Sequence, residues 1–178
     1  MTNEIIHTAT LQDGSKVTIR FIHPEDARRL QMLHSRLSEE SLLFRFLGHP
    51  KVLSDEQAHD LANVDYKNTM AFVAILPEEN DERLVGVARY SMIPSHEKGH
   101  TEAAIVIEDK YQRLGLGMVL AEQLIPYARK HGVKIFINFI DPENTGVIHL
   151  MRRCGLTVEI VGRDSESLEV HVDLTERK

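Results

Sequence analysis

The sequence predicts a domain of the α/β or α+β class with a mixed central sheet. Short apolar runs that resemble strands alternate with segments of helical periodicity along much of the chain. The run from Val133 to Ile140 is almost continuously apolar, which is typical of a strand buried on both faces. With 178 residues the chain is long enough to bury a sizeable core, and its length predicts a single domain over residues 1–178.

The first third of the chain predicts a hairpin followed by three helices. Two strand-like runs, Ile5 to Leu11 and Lys16 to Ile22, flank the turn-forming pair Asp13-Gly14. The helices are predicted to begin at residues that favour helix N-termini, namely Pro24, Ser38 and Ser54.

The remainder predicts strands and two further helices in turn. The predicted strands are Met70 to Leu76, Arg83 to Ile93, Thr101 to Ile107, Val133 to Ile140, Thr157 to Val161 and Leu168 to Leu174. One helix is predicted from about Gly117 to His131, and another follows Asp141-Pro142 and ends at Gly155.

A glycine-containing turn lies between the third of these strands and the helix that follows it. Residues 112–117 read Gln-Arg-Leu-Gly-Leu-Gly. Gly115 and Gly117 place no side chain where main-chain N–H groups turn towards a ligand. The helix adds N–H groups without intrahelical acceptors and the positive end of its dipole. The turn therefore predicts an anion site that suits a pyrophosphate.

Composition and charge argue against several classes of function. The net charge of −6 disfavours nucleic-acid binding through a basic surface and modestly favours a cationic substrate. No apolar stretch is long enough to span a membrane, and the N-terminal residues do not resemble a signal peptide. Cys154, the single cysteine, cannot form an internal disulfide, which favours a reducing compartment. We expect a cytoplasmic protein that binds neither nucleic acid nor a membrane.

Two common phosphate-binding motifs are missing from the turn. A dinucleotide fold would have a third glycine at the position of Leu120, and a P-loop needs a GxxxxGK[ST] string that does not occur. The Q-x-x-G-x-G form, late in a domain and before a long helix, instead resembles the GNAT acetyltransferase superfamily. In that superfamily the turn binds the pyrophosphate of acetyl-coenzyme A (acetyl-CoA).

Further segments extend the resemblance. Asn144 followed by a helix that ends at Gly155 resembles the family's second cofactor element. Other segments resemble one branch, the Pat-type protein lysine acetyltransferases: Ser38 to Ser41, Arg45-Phe46, Asp65-Tyr66, Leu84 to Tyr90, and Glu102, ten residues before Gln112. The resemblance covers about residues 16–160. It implies a central mixed, mostly antiparallel sheet flanked by helices, acetyl-CoA as cosubstrate and a lysine-bearing protein as partner, and it leaves a homodimer open.

Acetyl transfer to an amine requires a base. A lysine amine has a pKa of about 10.4 and is almost wholly protonated at neutral pH. The resemblance implies that Glu102 is this base and that it acts through a water. Its apolar neighbours, Ala103 to Ile105, predict partial burial, an environment that helps a carboxylate to take up a proton. The alternative is a solvent-facing strand glutamate with no catalytic role.

Main-chain groups are predicted to hold the coenzyme. We expect strand splay to free N–H groups of Ile105, Val106 and Ile107, which would polarise the thioester carbonyl. The predicted pyrophosphate-binding residues are Gln112, Arg113, Leu114, Gly115, Leu116, Gly117 and Met118. The Arg113 side chain is either a phosphate partner or a solvated loop residue, and Asn144 either bonds the pantetheine or caps a helix.

The sequence assigns no proton donor to the departing thiolate. Many members of the superfamily carry a tyrosine seven residues after the asparagine, where this chain has Met151, and a thioether cannot donate a proton. Tyr111 is an alternative donor, although its position also suits a packed aromatic residue. None of the ten histidines has a metal-binding spacing, so we expect no metal site.

Two functions of different classes follow from these features. The first is an acetyl-CoA-dependent N-acetyltransferase that acts on a protein lysine or, as a variant, on a free small amine. The second is a non-catalytic acyl-CoA-binding module that senses cofactor level or serves as a partner subunit. Glu102 favours the first function, and Met151 keeps the second open.

Overall fold

The computed structural model describes residues 5–47, 52–78, 81–93, 96–164 and 166–175. The strands in these ranges are β1 (Ile5–Thr10), β2 (Lys16–Phe21), β3 (Thr69–Pro77), β4 (Glu82–Met92), β5 (His100–Ile107), β6 (Ile135–Ile140), β7 (Thr157–Arg163) and β8 (Leu168–Asp173). The helices are α1 (Ala27–Ser35), α2 (Glu39–Phe46), α3 (Asp55–Ala62), α4 (Leu116–Lys130) and α5 (Thr145–Arg153). Short 3₁₀ turns precede α1 and α4, at Pro24–Asp26 and Asp109–Tyr111.

The strands form one sheet in the order β1-β2-β3-β4-β5-β6-β8-β7. Neighbouring strands are antiparallel except β5 and β6, which run parallel. The predicted mixed, mostly antiparallel sheet flanked by helices is therefore confirmed. The parallel pair requires a crossover, and α4 provides it between β5 and β6.

The sheet is covered on both faces. On one face α1 and α3 bury a cluster around Ile22, Leu33 and Val73. On the other face α4 packs Leu120 and Leu124 onto the middle of the sheet. Apolar side chains on both sides of the central strands account for their continuous apolar sequence.

Local sequence signals set the ends of several elements. Gly14 has a φ of 86° in the β1–β2 turn, a conformation that glycine adopts without strain. Ser38 and Ser54 accept hydrogen bonds from the main chain three residues later and so cap α2 and α3. Pro24 begins a 3₁₀ turn rather than an α-helix, so α1 starts three residues later than predicted.

Candidate functional site

Strands β5 and β6 separate towards the carboxyl end of β5. Their pairing begins at His100 and Ile135 and ends at Glu102 and Ile137. Pairing of β5 with β4, in contrast, continues as far as Ile107. The last five residues of β5 therefore have a partner on one side only, and a gap opens in the sheet beside them.

A groove of about 1140 Å³ occupies this gap. Its walls come from both faces of the sheet and from the helices around the gap: Glu102 to Ile107 of β5, Asn138 and Phe139 of β6, Arg45 and Phe46 of α2, Gly117 and Met118 of α4, and Val147, Leu150 and Met151 of α5. This volume is slightly above the range of about 300–1000 Å³ that small-molecule sites usually have, so the groove has room for a large ligand. The predicted coenzyme and catalytic residues line this one space, except Leu114 and Leu116, whose side chains pack against the core instead.

The alternation of β5 decides which of its main-chain groups face the groove. The Glu108 N–H donates to the Val85 carbonyl beside β4, and the Gly99 carbonyl accepts from Ile135 at the start of β6. Since successive residues of a strand direct their main-chain groups to opposite neighbours, Ile105 and Ile107 face the gap. Their N–H groups have no strand partner within the described residues. These two positions suit the predicted role of carbonyl-polarising donors.

Val106 has the opposite orientation. By the same alternation its N–H is directed towards β4, where the residue pairs with Val87. The expectation that Val106 donates a free N–H is therefore wrong, because the neighbouring strand uses that group. Its side chain still lines the groove.

The glycine turn has the backbone conformation that its sequence predicts. Gly115 is the N-cap residue of α4 with a φ of 97°, and a Cβ added there would meet no atom within 4 Å. The requirement for glycine is therefore conformational, and the space above it is open. Arg113 also has a positive φ, 58°, which is uncommon for a residue with a side chain. Such strained positions cluster at ligand-binding loops.

The N-terminus of α4 presents unpaired donors to the groove. No main-chain oxygen among the described residues accepts from the N–H groups of Leu116 and Gly117. The Leu116 side chain is fully buried in the core and that of Leu114 is half-buried, which fixes the turn against the sheet. The Leu114 carbonyl also accepts from the N–H of Gln12 over 3.1 Å. Unpaired main-chain donors and the positive end of the helix dipole therefore meet at one point on a fixed turn, an arrangement that favours anions.

Gly117 has a packing role that the sequence did not reveal. A Cβ added to it would lie 3.3 Å from Leu150 Cδ2 and 3.5 Å from Ile107 Cδ1. Its missing side chain therefore lets the first turn of α4 approach both α5 and the end of β5.

Glu102 lies where the two strands part, on the sheet face that α2 covers. It is exposed, so the predicted partial burial is wrong: Ala103 and Ile105 face the opposite side of the pleated strand, and the small side chain of Ala104 leaves Glu102 uncovered. Two guanidinium groups share its surroundings. Burial lowers the pKa of Arg45. The pKa of Arg89 is lowered to about 10, mainly by burial and to a smaller extent by repulsion from Arg45. The negative charge of Glu102 opposes both shifts.

The remaining predicted residues take different places. Asn144 occupies the N-cap position of α5 but makes no capping bond, and it lines the groove. Met151, in the last turn of the same helix, lines the groove too. Tyr111 is only 5% exposed and packs in the core, which supports the reading of a packed aromatic residue over that of a proton donor.

Comparison with known proteins places these features in a family. Residues 35–156 match the family model described as Acetyltransferase (GNAT) family. The matched range includes Glu102, the glycine turn and Asn144, and it covers more than half of the chain. The chain belongs to the GNAT acetyltransferase family.

Relatives of this GNAT domain are found among curated proteins and solved structures. Acetyltransferase PA5475 of Pseudomonas aeruginosa is 41% identical over 125 residues, which are 70% of this chain and 66% of the relative. The GNAT domain of S. lividans PAT has a TM-score of 0.81 at 22% identity, covering 94% of this chain and 96% of that domain. The putative acetyltransferase yncA from Salmonella typhimurium has a TM-score of 0.67 at 22% identity, covering 90% of this chain and 95% of the yncA chain. The two structures establish the GNAT fold.

The structure adds residues to this GNAT site that sequence reasoning missed. Asn138 of β6 lines the groove. In the sequence, this role was indicated only by a polar side chain inside an otherwise apolar strand. Ser41 and Asp109 join α2 to the turn: the Ser41 hydroxyl donates to Asp109 over 2.8 Å and accepts from Gln112 over 2.9 Å. No short motif links residues so distant in sequence.

The described ranges hold neither a metal-binding cluster nor a membrane-spanning helix. Within them, no group of three or more His, Cys, Asp or Glu side chains is placed to hold a metal ion. The helices of the same ranges include none with the length and apolarity required to cross a membrane.

Proposed function

We propose that this protein is an acetyl-CoA-dependent N-acetyltransferase that acetylates a primary amine, with a protein lysine side chain as the acceptor. One observation carries the proposal: a single groove joins the unpaired N–H groups at the start of α4, the open edge of β5 and the Glu102 carboxylate. The pyrophosphate of acetyl-CoA, its thioester carbonyl and the acceptor amine each meet a suitable group there.

The coenzyme side of the groove is the face that carries α4 and α5. The main-chain N–H groups of the turn from Arg113 to Gly117 bind the pyrophosphate, whereas the predicted donor Met118 already gives its N–H to the Gly115 carbonyl over 3.0 Å. The exposed Arg113 side chain is free to pair with a phosphate oxygen. Ile105 and Ile107 hold the pantetheine arm as an added strand would be held. The Salmonella yncA structure, similar in fold, is described with its cofactor acetyl-CoA.

The acceptor side is the face that carries α2 and Glu102. The amine attacks the thioester carbon, a C–N bond forms and the C–S bond breaks. Glu102 takes the amine proton through a water, which its exposed position admits. The N–H of Ile105 stabilises the charge that develops on the carbonyl oxygen, as a preorganised donor in an oxyanion hole does.

The thiolate leaves towards α5, where Met151 offers no proton. The Asn138 carboxamide lines the same part of the groove and makes no hydrogen bond with the described residues. We assign it the role of an N–H donor that stabilises the thiolate until water protonates it.

A protein lysine is the preferred acceptor because of the Pat-type resemblance and the fold shared with the S. lividans PAT domain. The match covers 66% of the length of the P. aeruginosa relative, so the activity of the whole protein is part of this proposal. A cytoplasmic location and a homodimer also remain predictions.

The test is release of free CoA thiol from acetyl-CoA in the presence of lysine peptides and of small amines. Coenzyme binding is measured in parallel by calorimetry. Amine-dependent thiol release with acetylated product supports the proposal. Tight coenzyme binding without release to any acceptor would instead support the non-catalytic acyl-CoA sensor, which Met151 favours because it replaces the family's usual proton donor. Transfer to small amines alone would reassign the acceptor.

A further inference from the structure

Two arginines lie beside Glu102 on the acceptor side of the sheet. Arg89 on β4 pairs in register with Ala104, and Ser91 pairs with Glu102, so Arg89 is the diagonal neighbour of Glu102 on the same face. Arg45 lies in the last turn of α2 and lines the groove together with Glu102. The charge of Glu102 acts on both guanidinium groups.

These arginines differ from four others in the described part of the chain. Arg20, Arg29, Arg36 and Arg83 each have a carboxylate oxygen within 4 Å. Arg45 and Arg89 have none among the described residues. Within the described ranges Arg89 donates only to the Leu61 carbonyl, over a long 3.3 Å, and the guanidinium carbon of Arg45 lies 4.9 Å from the centre of the Phe46 ring.

Their surroundings are apolar. Both line a small cavity of about 40 Å³ whose other walls include Leu33, Leu61 and Val87. Arg45, Phe46, Ala104 and Val106 belong to the walls of this cavity and of the groove, so the two spaces adjoin. A guanidinium keeps its charge under these conditions, and two half-buried like charges without a carboxylate partner favour binding of an anion.

Glu102 does not supply that anion. It is exposed, it lies more than 4 Å from either guanidinium, and one carboxylate leaves one of the two positive charges uncompensated. Glu40 also lines the groove, but its charge does not act appreciably on either arginine.

We propose that the acceptor carries a carboxylate close to its amine, and that Arg45 and Arg89 bind this carboxylate while Glu102 receives the amine. The inference rests on the proposed function. The net charge of −6 favours cationic acceptors in general. The two positive charges of Arg45 and Arg89 oppose this trend at one place, on the acceptor side of the sheet.

Two kinds of acceptor carry an amine and a nearby carboxylate, and the experiment distinguishes them. The first is a protein lysine with an acidic residue beside it, and the second is a free amino acid. The first arm compares two peptides that differ only by Asp or Asn next to one lysine. The second arm compares 6-aminohexanoate with hexylamine. Acetyl transfer by the whole chain is followed by thiol release and mass spectrometry.

In one of the two pairs, we expect kcat/KM to be about tenfold higher for the acceptor with a carboxylate than for its neutral counterpart. A factor of this size corresponds to one charge-assisted hydrogen bond. Arg45→Gln and Arg89→Gln should bring the ratio within a pair towards one, mainly through KM, and Arg45→Lys should restore part of it. Arg163→Gln, on the distant strand β7, should leave the ratio as in the wild type. Circular dichroism verifies that each variant folds.

The outcomes separate the inference from the function on which it rests. Equal transfer within both pairs, or a preference for the neutral member, overturns the carboxylate subsite and leaves the acetyltransferase intact. A preference that survives both arginine substitutions overturns its assignment to Arg45 and Arg89. Thiol release to no acceptor at all overturns the proposed function and the inference with it. If a variant does not fold, the comparison of wild-type ratios still decides.

Discussion

The side-chain amide of Gln112 donates to the main-chain carbonyl of Ile107 over 3.0 Å. The same amide nitrogen donates to the Ser41 hydroxyl over 2.9 Å. The first residue of the glycine turn is thereby tied to the open end of β5 and to α2. One side chain thus links the coenzyme side of the groove to the acceptor side.

We expect Gln112→Leu to weaken coenzyme binding about fivefold, because loss of one net hydrogen bond of about 1 kcal/mol loosens the turn. Isothermal titration with CoA measures the change. Gln123→Leu, two turns along α4 and outside the groove, serves as the control. Unchanged affinity in Gln112→Leu would show that the turn holds its shape without this link.

Gly115→Ala should lower the free energy of unfolding by about 1–2 kcal/mol, because the methyl group forces an L-residue into the left-handed region. Gly132→Ala is a matched control: Gly132 has a φ of 82°, open space around it and a place outside the groove. Both variants should lose similar stability in urea denaturation, but only Gly115→Ala should bind CoA more weakly. Equal loss of affinity in both would make the effect one of stability alone.

Glu102→Gln should lower kcat at least about 100-fold, since a general base contributes that much or more. The affinity for CoA should not change, because the carboxylate lies on the opposite side of the groove from the turn. Glu159→Gln, an exposed strand glutamate on β7, is the control. Normal turnover in Glu102→Gln would reject the base assignment.

Asn138→Ala should slow acetyl transfer about tenfold, because the departing thiolate loses a charge-assisted hydrogen bond. Asn144→Ala should instead weaken coenzyme binding with a smaller effect on kcat. Stopped-flow measurement of thiol release at saturating acetyl-CoA separates the two. A loss of affinity with no loss of rate in Asn138→Ala would give Asn138 a binding role only.

Asp26 is fully buried and accepts hydrogen bonds from Arg20 over 2.7 and 2.8 Å. Burial by itself raises the pKa of Asp26, but the bonds from Arg20 and from the His23 main chain outweigh it, so the net pKa is lowered. A lowered pKa stabilises the folded chain above the unfolded value of about 3.9, and this stabilisation is lost as the pH falls through the folded pKa.

We therefore expect Asp26→Asn to lower the free energy of unfolding by about 3 kcal/mol at pH 7, because Arg20 is left buried with a weaker set of partners. The difference from the wild type should shrink as the pH falls below about 4. Urea titrations at several pH values measure it, with Asp60→Asn, an exposed aspartate, as the control. A difference that does not vary with pH would show that Asp26 does not titrate as assigned.

Local sequence signals predicted most elements and the turn. Ser38, Ser54 and Asp13-Gly14 act on their immediate neighbours, so each could be interpreted without the rest of the chain. The positive φ of Gly115 is likewise a local feature, whereas the close packing of Gly117 against Leu150 is seen only in the fold.

The role of each β5 residue depended on its neighbouring strands. The sequence gives the alternation along Glu102 to Ile107, but not which side faces β4 and which faces the gap. Glu102 is exposed and the N–H of Val106 is occupied because register and strand order assign the two sides. A strand taken alone has two equivalent sides, so local periodicity does not distinguish them.

By itself, the sequence determined the order of strands and helices, the glycine-dependent turn and the family, because these depend on local backbone preferences and on a short motif. The tertiary structure alone decided the separation of β5 from β6, the orientation of Ile105 and Ile107, and the approach of Arg45 and Arg89 to Glu102. These features join residues up to 57 positions apart, from 45 to 102, and long-range pairing and packing bring such residues together without a signal in the sequence near either one.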